Sequence, residues 1–174
     1  MNRKIFLEKM LHKYIPKNSN LIVFGGGQME NEILTKNNYK NITFLNIGEQ
    51  DLKGVNYKII LSPMQNTNLN DKVYDYALVN ASIHHSSRPH DCILEMYRIA
   101  KKGLLVIEGN DSFLIKVACK FGYSEEFERS AIKNNSGGVD NTNIPNFIYR
   151  WTEREIYKLI CSFKPNINHK IFMS

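Results

Sequence analysis

The sequence predicts a single α/β domain built on a mainly parallel sheet with helices on both faces. Three observations predict it. The short apolar runs 21–24 and 104–107 carry no polar interruption, as strands buried on both faces do. Strand-like and helix-like segments alternate along the chain. At 174 residues there is enough chain to bury one sizeable core.

Taken in order, residues 3–14 set Ile5, Phe6, Leu7, Met10, Leu11 and Tyr14 largely on one side of a helix. Pro16 and Asn18-Ser19-Asn20 end it, giving an N-terminal helical segment over 1–16. Leu21-Ile22-Val23-Phe24 is the first strand; Gly25, Gly26 and Gly27 follow, and a helix spans 28–37. Strand, glycine turn and helix N-terminus can bring backbone N–H groups to a nucleotide-like ligand. The same three glycines can equally be a plain flexible turn. A second strand is predicted over 42–47, broken by Gly48-Glu49-Gln50-Asp51, and a third over 57–61, stopped by Ser62-Pro63. Residues 65–70 read as a polar loop and 74–80 as the fourth strand.

Pro89 stands near the first turn of the next helix, which carries Cys92, Ile93, Met96, Tyr97, Ile99 and Ala100 inward. Lys101-Lys102-Gly103 reads as its end, and 104–108 as the fifth strand. Asp111 or Ser112 caps a helix over 113–121, closed by Gly122. Thr152-Glu153-Arg154-Glu155 forms a capping box, with Trp151 and Ile156 as its hydrophobic staple, for a last helix over 152–163.

Composition narrows the classes. The net charge is +6, but the basic residues are dispersed, with no run of five, so the charge argues for solubility rather than a nucleic-acid partner. Cys92, Cys119 and Cys161 match neither a disulfide framework nor a metal pattern and read as buried free thiols. No leader-like or membrane-spanning stretch stands out, so a cytoplasmic protein is expected.

Three segments together resemble the class I S-adenosylmethionine-dependent methyltransferases. Residues 21–27 look like that family's first motif. Residues 74–85, ending Asn80-Ala81-Ser82-Ile83-His84-His85, are similar to its fourth strand and "LHH" segment, and 93–107 resemble the helix and fifth strand that follow. The likeness spans roughly 20–110 as a cofactor-binding core. It implies a Rossmann-like, seven-stranded sheet with the cofactor across the carboxyl ends of the first strands. By position, Gly25, Gly26 and Gly27 would pass under the methionine part of S-adenosylmethionine. Asn46 would face the ribose, Ser62 and Met64 the adenine, and Asn80 and Ala81 the sulfonium. The chain departs from the pattern at Val23, where the first motif carries an acid, at Met29, where it often has its last glycine, and at Asn46, where it has Asp or Glu. An amide lacks the charge-assisted bond to a hydroxyl, so weaker ribose binding is expected. A non-catalytic module that keeps the fold but has lost cofactor binding is the alternative. After the last helix only 170–174 remain for the family's final hairpin, so the C-terminal strands are expected to be incomplete. The fifth strand is then an edge that can pair with another copy of the chain as a homodimer.

Methyl transfer from a sulfonium needs positioning, and a base only when the acceptor must lose a proton. His84 and His85, at the carboxyl edge, are the candidate catalytic bases; packing under the next helix is the plainer reading. His84, His85, His90 and Cys92 crowd together, but without zinc-site spacing, so no metal is expected. Glu108 either reaches the acceptor pocket or is a solvated strand end. Residues 133–150 form a long loop, expected to act as a lid whose amides and aromatics suit a small or saccharide-like acceptor, as in relatives associated with surface polysaccharides. A disordered connection is the other reading of that loop.

Overall fold

The computed structural model describes residues 2–48, 52, 54–55, 57–132 and 135–172. Helix α1 (Arg3–Tyr14) precedes β1 (Leu21–Phe24), α2 (Gln28–Lys36), β2 (Ile42–Asn46), β3 (Lys58–Leu61) and β4 (Tyr74–Asn80). Then come a 3-10 turn (Ile83–His85), α3 (Pro89–Ile99), β5 (Ala100–Ile107), α4 (Phe113–Lys120), β6 (Phe127–Glu128), β7 (Asn146–Phe147) and α5 (Glu153–Phe163). The break predicted after β2 lies, beyond Gly48, outside the described residues.

Five strands form one sheet in the order β3-β2-β1-β4-β5, every neighbouring pair parallel. Alternation along β1 feeds two cores. Ile22 and Phe24 join Ala77, Val79, Ile93, Met96, Trp151 and Ile160 on the α3/α5 face. Leu21 and Val23 join Leu7, Leu11, Ile33, Leu34, Phe44 and Leu78 on the α1/α2 face. Full burial of each such side chain contributes about 1.5–3 kcal/mol, which is why β1, buried along its whole length, carries no polar residue. The order reverses between β1 and β4, so the crevice beyond their carboxyl ends is the expected ligand position.

The resemblance implied seven strands; the main sheet has five, with β5 at its edge. Residues 168–172 form no strand. Part of that edge is closed by the chain itself: Asp111 N–H donates to Trp151 O at 2.9 Å and Trp151 N–H to Gly109 O at 2.8 Å. The helix end predicted at Lys101-Lys102-Gly103 is wrong, because α3 stops at Ile99 and those residues belong to β5. The Lys72 ammonium caps α3 instead, donating to Tyr97 O at 2.9 Å and Ala100 O at 2.7 Å. The capping box of α5 is half formed. Thr152 Oγ1 accepts from Glu155 N–H at 3.2 Å, while the Glu155 carboxylate turns to His90 and Tyr149. All three cysteines are free, but only Cys92 is buried; Cys119 and Cys161 are half-exposed.

Candidate active site

The glycine turn is shaped by close packing. Gly25 takes φ +58°, and a Cβ there would stand 2.5 Å from Ser82 Cβ and 3.3 Å from Met64 Sδ. Glycine supplies the left-handed backbone that a side chain resists, and lets β1 turn against the end of β4. Gly26 is limited by space alone, since a Cβ there would meet Val23 Cγ1 at 2.5 Å. Gly27 caps α2, and its N–H donates to Glu30 Oε2 at 2.8 Å.

Glu30 is the residue that sequence reasoning passed over. It is 5% exposed, and its other oxygen accepts from Asn80 Nδ2 at 2.6 Å. The carboxylate missing at Val23 therefore reaches the glycine turn from the first turn of α2. Val23 itself is fully buried in the α1/α2 core, where an acid would be an unpaired charge. A signal existed: Gly27-x-x-Glu30 has the spacing of a cap residue and its N3 partner.

Asn80, at the end of β4, is 3% exposed and fully engaged. Arg3, from the start of α1, donates to Asn80 O at 2.6 Å and to its Oδ1 at 3.3 Å. Arg3 is exposed and keeps further N–H donors at the mouth of the crevice. Ala81 has φ +50°, sparsely populated for a residue with a Cβ, and its N–H donates to Ile107 O at 2.7 Å. Relief of left-handed strain, offset by glycine's larger unfolded-state entropy, predicts that Ala81→Gly raises stability by about 0.5–1 kcal/mol in urea unfolding. Unchanged or lower stability would mean that the Ala81 methyl contributes packing that offsets the strain.

Asn46 lies at the end of β2 beside the turn, donating from Nδ2 to Gly26 O at 3.3 Å and accepting from Ile47 N–H at 2.8 Å. Met64 sits over Gly25, but the Ser62 hydroxyl turns into its own loop, donating to Pro63 O at 3.4 Å and Asn66 O at 3.3 Å.

Beyond Ala81 the chain makes an acid–histidine cluster. Glu108 is not a solvated strand end: its side chain is 2% exposed, and Oε1 accepts from Ser82 N–H at 2.7 Å and Ile83 N–H at 2.8 Å. Its Oε2 lies 3.1 Å from His84 Nδ1. His84 Nε2 lies 3.3 Å and His85 Nε2 3.5 Å from Glu128 Oε2, on β6. Burial alone would lower the His84 pKa, but the hydrogen bonds and charges of Glu108 and Glu128 outweigh it and raise it. For His85, burial and the neighbouring His84 charge lower it. The two imidazoles are thus shifted in opposite directions, His84 towards its charged form and His85 towards its neutral one. The sequence pair divides into two roles.

His90 and Cys92 lie apart from this cluster. His90 Nε2 faces Glu155 Oε1 at 2.9 Å, and the Cys92 thiol is buried, with its pKa pushed up to about 11 by desolvation. Of the long loop, residues 133 and 134 lie outside the described residues; the rest is held by structure that sequence reasoning missed, since β6 and β7 pair antiparallel and Asp140 Oδ1 accepts from Ser87 N–H at 3.2 Å. That hairpin rests against the turn carrying the histidines.

Fold and site define a Rossmann-like domain whose crevice opens where the strand order reverses, between β1 and β4. Residues 24–107 match the family model described as methyltransferase domain. Among solved structures it is similar to a SAM-dependent methyltransferase from Methanosarcina mazei, at 16% identity and TM-score 0.61, covering 88% of this chain and 82% of that one. It is also similar to a SAM-dependent methyltransferase from Thermotoga maritima, at 20% identity and TM-score 0.60, covering 91% and 69%. A protein from Pyrococcus horikoshii is similar at 16% identity and TM-score 0.60, covering 90% and 79%. At these identities the likenesses bear on the fold. No curated protein matches the chain. No helix among the described residues is long and apolar enough to cross a membrane.

Proposed function

We propose that the chain is an S-adenosylmethionine-dependent methyltransferase acting on a small, saccharide-like polar acceptor, and that the β6–β7 hairpin with residues 135–150 covers the acceptor as a lid. The observation that carries the reading is the acid–histidine cluster directly after the glycine turn and the end of β4. His85 is neutral and partly accessible there, beside the amide of Asn146, whose Nδ2 lies 2.7 Å from His85 Nδ1. Such a surface offers hydrogen bonds and a proton acceptor to a hydroxyl.

The residues present fit S-adenosylmethionine. The cofactor supplies a methyl group activated on a sulfonium. Arg3 offers guanidinium N–H groups to the methionine carboxylate. Gly25–Gly27 let the backbone approach, with Met64 over the turn and the Asn46 amide on the ribose side. Asn80 acts mainly through Glu30 and Arg3, holding the turn and the cation in register. With the Asn146 amide turned so that Oδ1 accepts from His85 Nδ1–H, Nε2 is bare and takes the acceptor's proton, and His84, held between Glu108 and Glu128, fixes the ring beside it.

Calorimetry with S-adenosylhomocysteine should show binding between about ten micromolar and one millimolar, since the ribose lacks a carboxylate partner. Arg3→Ala should weaken it about tenfold, the loss of one charge-assisted bond. No heat at millimolar ligand rules out the cofactor assignment. Methyl transfer to monosaccharide and glycoside hydroxyls should fall about 10²–10⁴-fold in His85→Asn. Cofactor binding without transfer to any saccharide would reject the acceptor class and leave the cofactor assignment standing.

A further inference from the structure

His84, His85 and Glu128 present three ligand-type atoms, all within 4.8 Å of one another. We propose that they form a binding site for a divalent transition-metal ion of the zinc class. Distances carry the first part of the argument. Donor atoms about 2.0–2.1 Å from a tetrahedral ion lie roughly 3.3–3.4 Å from each other. The two Nε2-to-Glu128 Oε2 separations are 3.3 Å and 3.5 Å. An ion between them needs only small shifts of side chains already gathered.

The second part is the shell behind the donors. A metal-bound histidine presents one bare nitrogen and donates its other N–H to an acceptor that fixes the ring. Glu108 Oε2 is that acceptor for His84 Nδ1, and is itself held by the contacts of Glu108 to the Ser82 and Ile83 amides. For His85 Nδ1 the partner is the Asn146 side chain, which is fully buried. Asn146 Oδ1 has no hydrogen-bond partner among the described residues. Rotated by half a turn, the amide presents Oδ1 to His85 Nδ1–H and leaves Nε2 bare toward Glu128. The orphaned oxygen thus has a use in the metal-bound form.

Donor type selects the ion. Two imidazoles and one carboxylate suit zinc, cobalt or nickel, whereas magnesium and calcium prefer all-oxygen shells. Three protein donors leave a fourth position for water. An acceptor oxygen could take the same position, and that step alone rests on the methyl-transfer reading above. With an ion in place His85 Nε2 no longer takes a proton, and lowering the pKa of the bound oxygen passes to the metal.

The test uses the chelator-treated full chain, without cofactor. Cobalt(II) should produce the visible d–d bands of four-coordinate cobalt, saturating at one equivalent, and zinc should displace it. Glu128→Gln and His85→Asn should each weaken binding about a hundredfold, while exposed His12→Asn should leave it unchanged. Folding of each variant is checked by circular dichroism. Absence of a four-coordinate spectrum in the parent overturns the proposal, as does a spectrum that survives unaltered in Glu128→Gln. Calorimetry with S-adenosylhomocysteine on the same metal-free protein reports separately on the cofactor, so the two readings can fail independently.

Discussion

Gly25→Val is expected to cost about 4 kcal/mol of stability and to abolish cofactor binding. Two effects add. Its φ of +58° is left-handed, where a β-branched residue is strained by about 1–3 kcal/mol. Its Cβ would also stand 2.5 Å from Ser82 Cβ and 2.9 Å from Ser82 Oγ, forcing the two chain segments apart at a further 1–3 kcal/mol or so. Against a total stability of about 5–15 kcal/mol this is a large fraction. Ser82 Oγ donates to Gly25 O at 2.8 Å, so the displaced segment also carries the start of the acid–histidine cluster. Gly25→Val, Ser82→Gly removes the clash but not the backbone strain, and should recover about half of the loss. Urea unfolding of both variants decides the matter. A cost below about 1 kcal/mol for Gly25→Val would show that the turn can relax and that its glycine serves no structural need.

The parts of the fold legible in the sequence are those set by local pattern. β1, β4 and their glycine turn follow from unbroken apolar runs and a residue type that few positions require. The fifth strand was placed too late because Lys101 and Lys102 look like a helix end. In the structure Tyr76 pairs with Gly103 and Leu78 with Leu105, and sheet pairing overrides the local charge signal.

The site was legible by position and opaque in its contacts. Gly25, Asn46, Asn80 and His84 lie at the carboxyl edge where the motifs put them. What holds them comes from far along the chain: Arg3 reaches Asn80 across 77 residues, and Glu128 reaches His84 across 44. No periodicity reports such pairs. The departure at Val23 has a long-range counterpart of the same kind. Restoring an acid there would bury a charge in the core, because Glu30 already provides the carboxylate from the other side of the turn.

Glu95 shows how far a polar residue on a predicted helix can differ from a solvated one, and its removal is expected to cost about 3–5 kcal/mol. It is 8% exposed on α3. Oε1 accepts from the Thr67 N–H at 2.9 Å and the Thr67 hydroxyl at 2.5 Å, and Arg98 donates to both oxygens at 2.7 and 2.8 Å. Thus the polar run 65–70 is tied to α3 by one carboxylate. Burial alone would raise the Glu95 pKa, but the bonds from Arg98 and Thr67 outweigh it and hold it below the usual carboxylate range. The folded pKa then lies below the unfolded value of about 4.3, so the contribution is fully present above that pH and is lost as pH falls through the folded pKa. Glu95→Ala should therefore be less stable than wild type by a constant amount from pH 8 to about pH 5, with the gap closing in more acidic urea titrations. Asp71 also contacts Arg98, at 2.5 Å, but its side chain is 73% exposed, and Asp71→Ala should cost only about 0–1 kcal/mol. A gap between wild type and Glu95→Ala that stays constant below pH 4 would mean that the buried carboxylate does not ionise differently on folding, and the hydrogen bonds alone would then account for its effect.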